Sequence, residues 1–290
     1  SQTAANNRRA PASPGSPLSF DEAERVLGPL DKAPAERQAW IERVRPIFKE
    51  LLGIRSYHYA LDPATRRPTD DNLTLSARSA RAALAEADFE PAEIDLVLYA
   101  GILMEHICPP TSVLIQEELK IPRCAEFEIH SNCTSIYKAI QVAADFLRLG
   151  RYRNALIVAS QLSSAYLRSE FFNQAVVDKK QALLRWFLCD GAGAMVMTSQ
   201  PRGPKRIRVR DTFVESNGLG LGPEMFCLMG GHRCLLPEAY EKGWHHISQN
   251  FETVSKVAPK LFWEALNAMV ARTGVDLGRV RFFLANIPTR

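Results

Sequence analysis

The sequence predicts an α/β protein of layered kind. Helical and strand patterns alternate from Thr74 to Thr198, and the apolar runs IDLVLY (94–99) and ALIVA (155–159) have the length of buried strands. The segment ALAEADFEPAEIDLVLYAGI (83–102) is echoed by MVARTGVDLGRVRFFLANIP (269–288): helix end, acidic turn, strand, small residue. The echo predicts two copies of one βαβ-containing unit.

Residues 1–17 are polar and rich in Pro, Ala and Ser, and predict a flexible arm. Helical periodicity begins at Phe20–Leu27, with Ser19 and Asp21 as cap candidates, and resumes over Ala39–Leu52 until Gly53. A helix over Thr74–Ala87 feeds the strand at 94–99. Then follow helix Thr111–Leu119, strand Ala125–Ile129, helix Ser135–Leu149 and strands Ala155–Ala159 and Ala192–Thr198. A Pro/Gly/Arg linker (201–204) precedes a strand at Ile207–Phe213, a long helix at Phe251–Arg272 and a strand at Val280–Ala285. The expected division is an arm (1–17), an N-terminal half (18–200) and a C-terminal half (201–290). The second unit stops after its second strand, so that half is expected to be truncated or incomplete.

Among 290 residues, 46% are hydrophobic and 23% charged, a balance that suits a globular core and excludes disorder, collagen and coiled coil. No apolar run approaches the ~20 residues of a membrane span, and the first residues lack the apolar stretch of a signal peptide, so a cytoplasmic protein without membrane contact is expected. The net charge of +4 is too small to argue for nucleic acid. The six cysteines (108, 124, 133, 189, 227 and 234) form no CxxC pair and no even spacing, so free thiols are expected, with no zinc site or disulfide framework.

The run EIHSNCTSIY (128–137) carries the chemistry. A strand ends, a short turn follows, and a helix begins just after Cys133. A thiol at a helix N-terminus faces the positive end of the helix dipole and free N–H groups, which favours the nucleophilic thiolate. An arbitrary free cysteine is more often a small core residue; the strand-turn-helix context shifts Cys133 toward chemistry.

At this point the sequence resembles the β-ketoacyl-acyl-carrier-protein synthase III family of thiolase-like condensing enzymes. Gly53-Ile54-Arg55 with Tyr57 and His58 looks like the family's GIR segment, and His106, Pro109, Pro110, Ile115, Gln116 and Leu119 look like its H-x-x-P…IQ-x-x-L helix. Asn132-Cys133 with ALIVAS (155–160) looks like its nucleophile turn and next strand, and LCDGAGA (188–194) like its F-G-D-G-A-G-A strand entry. The match runs over residues 18–290. It implies two βαβαβαββ-type halves in an αβαβα arrangement, and a mechanism in which Cys133 accepts an acyl group and passes it to a malonyl thioester that loses carbon dioxide. The Cys133 N–H would be one oxyanion donor. Leu103, Met104, Ile107 and Cys108 would line an acyl tunnel or a dimer partner's pocket, or else are ordinary core.

The chain also departs from the family. Asn286 stands after strand RFFLA (281–285), where the family has its catalytic histidine, and the family's catalytic asparagine would fall beyond Arg290. Asn286 can still donate one neutral hydrogen bond. His130, His232 and the pair His245-His246 are weighed as substitutes, each more readily a satisfied or surface residue. The pair lacks a third ligand for a metal. Ile47, Leu51 and Ala165 replace the family's coenzyme A-binding tryptophan and arginines, which favours an acyl group delivered on an acyl carrier protein over plain acyl-CoA. Arg148, Arg151, Arg153 and the basic residues of 202–210 are candidates for docking it, or simply a solvated face.

The expectation is therefore a ketosynthase III-like enzyme of secondary metabolism, polyketide or fatty-acid-like, needing no cofactor and working as a homodimer, with a heterodimer open. An acyltransferase moving the acyl group from Cys133 to a hydroxyl or amine, and a non-catalytic partner subunit, are the alternatives.

Overall fold

The computed structural model describes residues 4–200, 202, 207–233 and 237–284, the stretch 4–12 by its backbone pairing. Strand β1 (Ala4–Ala12) is followed by α1 (Phe20–Leu27), opened by a reciprocal cap between Ser19 and Glu22. The carbonyls at its far end are taken by two guanidinium groups: Arg66 donates to Val26 O and Leu27 O, Arg185 to Gly28 O. Helix α2 (Ala35–Leu52) stops at Gly53, whose φ of 57° is left-handed. Helix α3 (Asn72–Ala87) starts on an Asp71–Thr74 capping box.

The central sheet is then assembled in quick succession. Strand β2 (Leu96–Gly101) leads through α4 (Thr111–Glu118) to β3 (Ala125–His130), and β3 through α5 (Ser135–Arg148) to β4 (Asn154–Gln161). Two short helices, α6 (Ser164–Leu167) and α7 (Lys179–Leu184), precede β5 (Gly191–Thr198). With β6 (Ile207–Arg208) the sheet has six strands in the order β3-β2-β4-β5-β1-β6. β3, β2 and β4 run parallel; β5 is antiparallel to β4, and β1 is antiparallel to β5 and β6.

Period-2 alternation puts each strand's side chains into two cores. Val97, Tyr99, Leu156, Val158 and Val196 pack with Ala77, Ala80 and Ala83 of α3. Leu96, Leu98, Ala100, Ala155 and Ile157 pack with Ala139, Ala143, Ala144 and Leu147 of α5. Alanine on both helices lets them lie close to the sheet, and each large apolar side chain buried between them stabilises by about 1.5–3 kcal/mol. A third core joins α1 and α2 to Tyr57, Tyr59 and Trp186. Tyr57 Oη donates to Trp186 O (2.8 Å) and Tyr59 Oη to Leu188 O (3.1 Å), pinning the entry to β5. Asp190, just before β5, is buried and accepts from Ala60 N, Ser164 N and Ser164 Oγ at 2.6–2.7 Å; burial raises its pKa and those donors pull it back.

Beyond 200 the described residues form less regular structure. Strands β7 (Met225–Phe226) and β8 (Ser248–Gln249) pair as a two-residue ribbon around α8 (Pro237–Glu241), and α9 (Phe251–Thr273) runs 23 residues with none buried. Phe262, Trp263 and Phe282–Leu284 are exposed on this side.

The α/β class and the alternation over 72–198 are as expected, whereas three local expectations change. Ala4–Ala12, expected as part of a loose arm, is an inner strand. A β-ladder is made by backbone groups, and β5 offers its second edge to any segment able to extend, whatever its composition. Of the strand expected at Ile207–Phe213, Ile207–Arg208 is formed, pairing with Ala5 and Ala4 of β1. Residues 280–284 are not a strand, no described strand lying next to them, and Ala285 lies outside the described residues. Among the described residues a six-stranded sheet carries α3 on one face and α5 on the other, with a separate two-stranded ribbon beyond it.

Candidate active site

The three parallel strands end on one side of the sheet, with Gly101 of β2 in register with His130 of β3 and Ser160 of β4. The chain leaves β2 toward β3 through α4 and returns across β2 to β4 through α5, so a crevice opens between neighbouring carboxyl ends. In open α/β sheets this is where ligands bind. Cys133 lies there, in a 3-10 turn (Asn132–Thr134) between β3 and α5, and it is exposed.

The local sequence builds that turn from short hydroxyl side chains. Asn132 takes φ 45°, a left-handed value that asparagine tolerates better than most residues. Ser135 Oγ, buried, accepts from Ser131 N (2.8 Å) and lies 2.8 Å from Asn132 O and 3.2 Å from Gly101 O, tying the turn to itself and to the end of β2. Thr134 Oγ1 donates to Ser131 O (2.8 Å), Ser131 Oγ lies 3.1 Å from Thr134 Oγ1, and Lys138 Nζ donates to Ser131 Oγ (2.5 Å). Cys133 is thus held by a closed ring of hydrogen bonds while its side chain stays in the open.

The loop after β2 is clamped at its base. Tyr99 Oη lies 3.0 Å from both Leu103 O and Ser160 Oγ, and Ser160 Oγ is bonded to Ser76 and Asn72. Burial raises the Tyr99 phenol to about 12, against the pull of the Ser160 bond. Glu105 accepts from Asn72 N (2.8 Å) at the start of α3. Glu128 and Glu126 accept from Thr111 N and Ser112 Oγ, placing negative charge at the N-terminus of α4. Between these clamps Met104, Ile107 and Cys108 are exposed, Ile107 to 81%, and Leu103 is half-buried. The ordinary-core reading is thereby corrected for Met104, Ile107 and Cys108: the loop follows the end of β2, and among the described residues these three side chains stay uncovered.

Other candidates disperse. Asn286 lies outside the described residues, as do Cys234, Lys205 and Arg206. His130, His106 and His232 are exposed. His245 and His246 are buried far along the chain among Phe171, Phe172 and Tyr240. Ile47 and Leu51 are exposed on α2, Ala165 half-buried on α6. Arg202 is paired with Glu93 (2.5 Å), and Arg148 with Asp145 (3.0 Å) and the Arg210 carbonyl (3.1 Å), so part of the basic cluster is spent within the chain. Clefts of about 550 and 540 Å3 open beside α1, lined by residues such as Arg66, Glu170 and Tyr240, or Glu24, Arg45 and Arg185; neither touches Cys133 or residues 103–108.

The hydroxyl ring of Ser131, Thr134 and Ser135, with Lys138, and the Asn72–Tyr99–Ser160–Glu105 network were not legible beforehand. Single polar residues carry no periodic signal, and several of these bonds join positions 33 to 88 residues apart.

Comparison with known proteins follows the same geometry. Residues 127–218, which begin on β3 just before Cys133, match the family profile of 3-oxoacyl-[acyl-carrier-protein] synthase III. Curated β-ketoacyl-[acyl-carrier-protein] synthase III proteins are similar: that of Koribacter versatilis is 23% identical over 215 residues (73% of this chain, 60% of the relative). That of Thioalkalivibrio sulfidiphilus is 30% identical over 168 residues (58% and 45%), and one from Desulfitobacterium hafniense 27% over 230 residues (79% and 63%). The chain spans about three fifths or less of the length of these relatives. Among solved structures, the tetronic acid condensing enzyme AbyA1 superposes with a TM-score of 0.75 at 18% identity, covering 94% of this chain and 75% of that one. The synthase III of Aquifex aeolicus VF5 does so with 0.67 at 20% identity, covering 96% and 74%. By sequence over most of its length and by fold, the chain is similar to the β-ketoacyl-acyl-carrier-protein synthase III family of thiolase-like condensing enzymes.

Proposed function

We propose that the chain is an acyl-thioester-processing enzyme of the ketosynthase III kind, working through an acyl-Cys133 intermediate. The observation that carries this reading is the exposed Cys133 on a hydrogen-bonded turn at the carboxyl ends of three parallel strands, inside the segment the family profile matches. Cys133 Sγ attacks the acyl carbonyl, the carrier's C–S bond breaks as the Sγ–C bond forms, and the carrier thiol leaves with a proton. N–H groups of the helix start face the oxyanion of the tetrahedral intermediate. Decarboxylative condensation with a malonyl thioester is the default second half-reaction. Transfer to a hydroxyl or amine is the second reading, favoured by asparagine rather than histidine at 286. Ile47 and Leu51, apolar and exposed where the family binds coenzyme A, support a carrier-protein donor and a role in secondary metabolism. A homodimer joined through the open edge of β3 is part of this proposal, and would set the exposed 104–108 loop against a second subunit.

The test is intact-protein mass after incubation with a panel of acyl-carrier-protein and acyl-CoA thioesters. A gain of one acyl group, absent in Cys133→Ala, is expected; no gain from any donor overturns both enzymatic readings. Carbon dioxide release from a malonyl donor then separates condensation from transfer.

A further inference from the structure

The first turn of α5 holds a positive charge that no carboxylate among the described residues balances. Lys138 is half-buried, and its ammonium donates to Ser131 Oγ. With Thr134 Oγ1 donating to Ser131 O, the Ser131 hydroxyl proton points to Thr134, so the donors run in one direction, Lys138 to Ser131 to Thr134, around Cys133. No carboxylate pairs with Lys138 among the described residues. Three acids on β3 and the loop after β2 are directed elsewhere: Glu105 to Asn72 N, Glu126 to Ser112 Oγ, Glu128 to Thr111 N. A cation in the first turn also opposes the helix dipole, whose favourable place for it is the last turn. Among the described residues, the protein thus keeps an ammonium without a carboxylate partner, one hydrogen bond from Ser131 of the turn that carries Cys133.

We propose that Lys138 is a specificity-determining charge for Cys133, selecting acyl thioesters whose acyl group itself carries a carboxylate, the monothioesters of dicarboxylic acids. This rests on Cys133 being the acylated residue, and it assigns a preference to the group loaded on that sulfur. Ser131, Cys133 and Thr134 share one turn, so an acyl chain bound to Sγ starts next to the Lys138–Ser131 pair.

Two rates read the charge. First, Cys133 is alkylated with anionic iodoacetate and neutral iodoacetamide and followed by peptide mass. Both reagents meet the same sulfur, so its intrinsic reactivity cancels in their ratio. The iodoacetate-to-iodoacetamide ratio is expected to exceed that of a neutral cysteine peptide, to fall about three- to tenfold in Lys138→Gln and to persist in Lys138→Arg, one charge at this range in a partly solvated site being worth roughly that. Glutamine keeps a donor for Ser131, so a merely structural lysine leaves the ratio unmoved, and an unmoved ratio overturns the proposal. Should Lys138→Gln fail to fold, the wild-type ratio decides: a fall with rising salt supports it, and a salt-independent ratio equal to the peptide's overturns it. Second, succinyl and butyryl thioesters, alike in length, are compared as acyl donors. Faster loading of succinyl, lost in Lys138→Gln, is expected; equal loading overturns the preference. If neither thioester loads while the alkylation ratio responds to residue 138, the proposed acyl-processing function falls and the charge selection at Cys133 stands.

Discussion

His246 has its protonation state settled by its neighbours. Its Nε2 accepts from Asn173 N (3.0 Å), so Nδ1 carries the proton and faces Gln181 Oε1 (2.9 Å). Burial, and then the adjacent His245, push its pKa from 6.5 down to about 4. The unfolded chain takes up this proton below pH 6.5 and the folded chain only near 4. The stabilising contribution is therefore complete above 6.5 and is lost as pH falls through that window. Urea unfolding is expected to show His246→Gln flattening the wild-type loss of stability between pH 6.5 and 4, by up to about 3 kcal/mol. Asp190, whose pKa is raised by burial, contributes with the opposite sign, so the readout is the difference between variant and wild type.

Between β3 and α5, Ser135 converts sequence into a presented nucleophile. Its hydroxyl satisfies the Ser131 N–H and reaches the carbonyls of Asn132 and Gly101, so it aligns the Cys133 turn with the end of β2. Ser135→Ala leaves the Ser131 N–H without this partner and the turn free of β2. Acylation of Cys133 is expected to slow about tenfold, a misplaced reacting group being costly, while far-UV circular dichroism is unchanged. Wild-type rates in the variant would remove Ser135 from the positioning of the site. Capping at α3 is a purely structural contrast. Asp71 accepts from Thr74 N (2.7 Å), and Asp71→Ala should lower the urea-derived stability by about 1 kcal/mol.

Among the described residues the assembled sheet leaves the β3 edge unpaired. Ala125 N bonds Asp95 O, so by alternation Ala125, Phe127 and Ile129 turn their backbone groups toward β2, while Glu126 and Glu128 turn theirs outward. An unprotected parallel edge invites another strand. Analytical ultracentrifugation is expected to show a dimer, and Glu126→Pro, which removes one outward N–H and spares the β2 ladder, to weaken it at least tenfold; a monomeric wild type would rule out the β3 interface. On the far side, Phe262, Trp263 and Phe282–Leu284 form an exposed apolar surface along and beyond α9. The folded chain is expected to enhance the fluorescence of an anilinonaphthalene sulfonate dye, and Trp263→Asp to reduce it.

Local pattern reached a good part of this. The runs at 94–99 and 155–159 became strands because burial on both faces demands short, continuously apolar segments, and 125–129 and 192–198 pair alongside them as less buried strands of the same sheet. The cysteine turn stood out because a strand end, a short turn and a helix start lie within a few consecutive residues. Tertiary structure alone decided the rest. It made Ala4–Ala12 an inner strand, since a ladder is joined by backbone groups that leave no side-chain signature. It left residues 280–284 out of any sheet, since an apolar run pairs only where a neighbouring strand is present. It exposed Met104, Ile107 and Cys108, and it set Lys138 on Ser131 of the Cys133 turn with no carboxylate partner among the described residues. Whether a charge is paired depends on groups brought together from distant positions, and no periodicity in the chain records that.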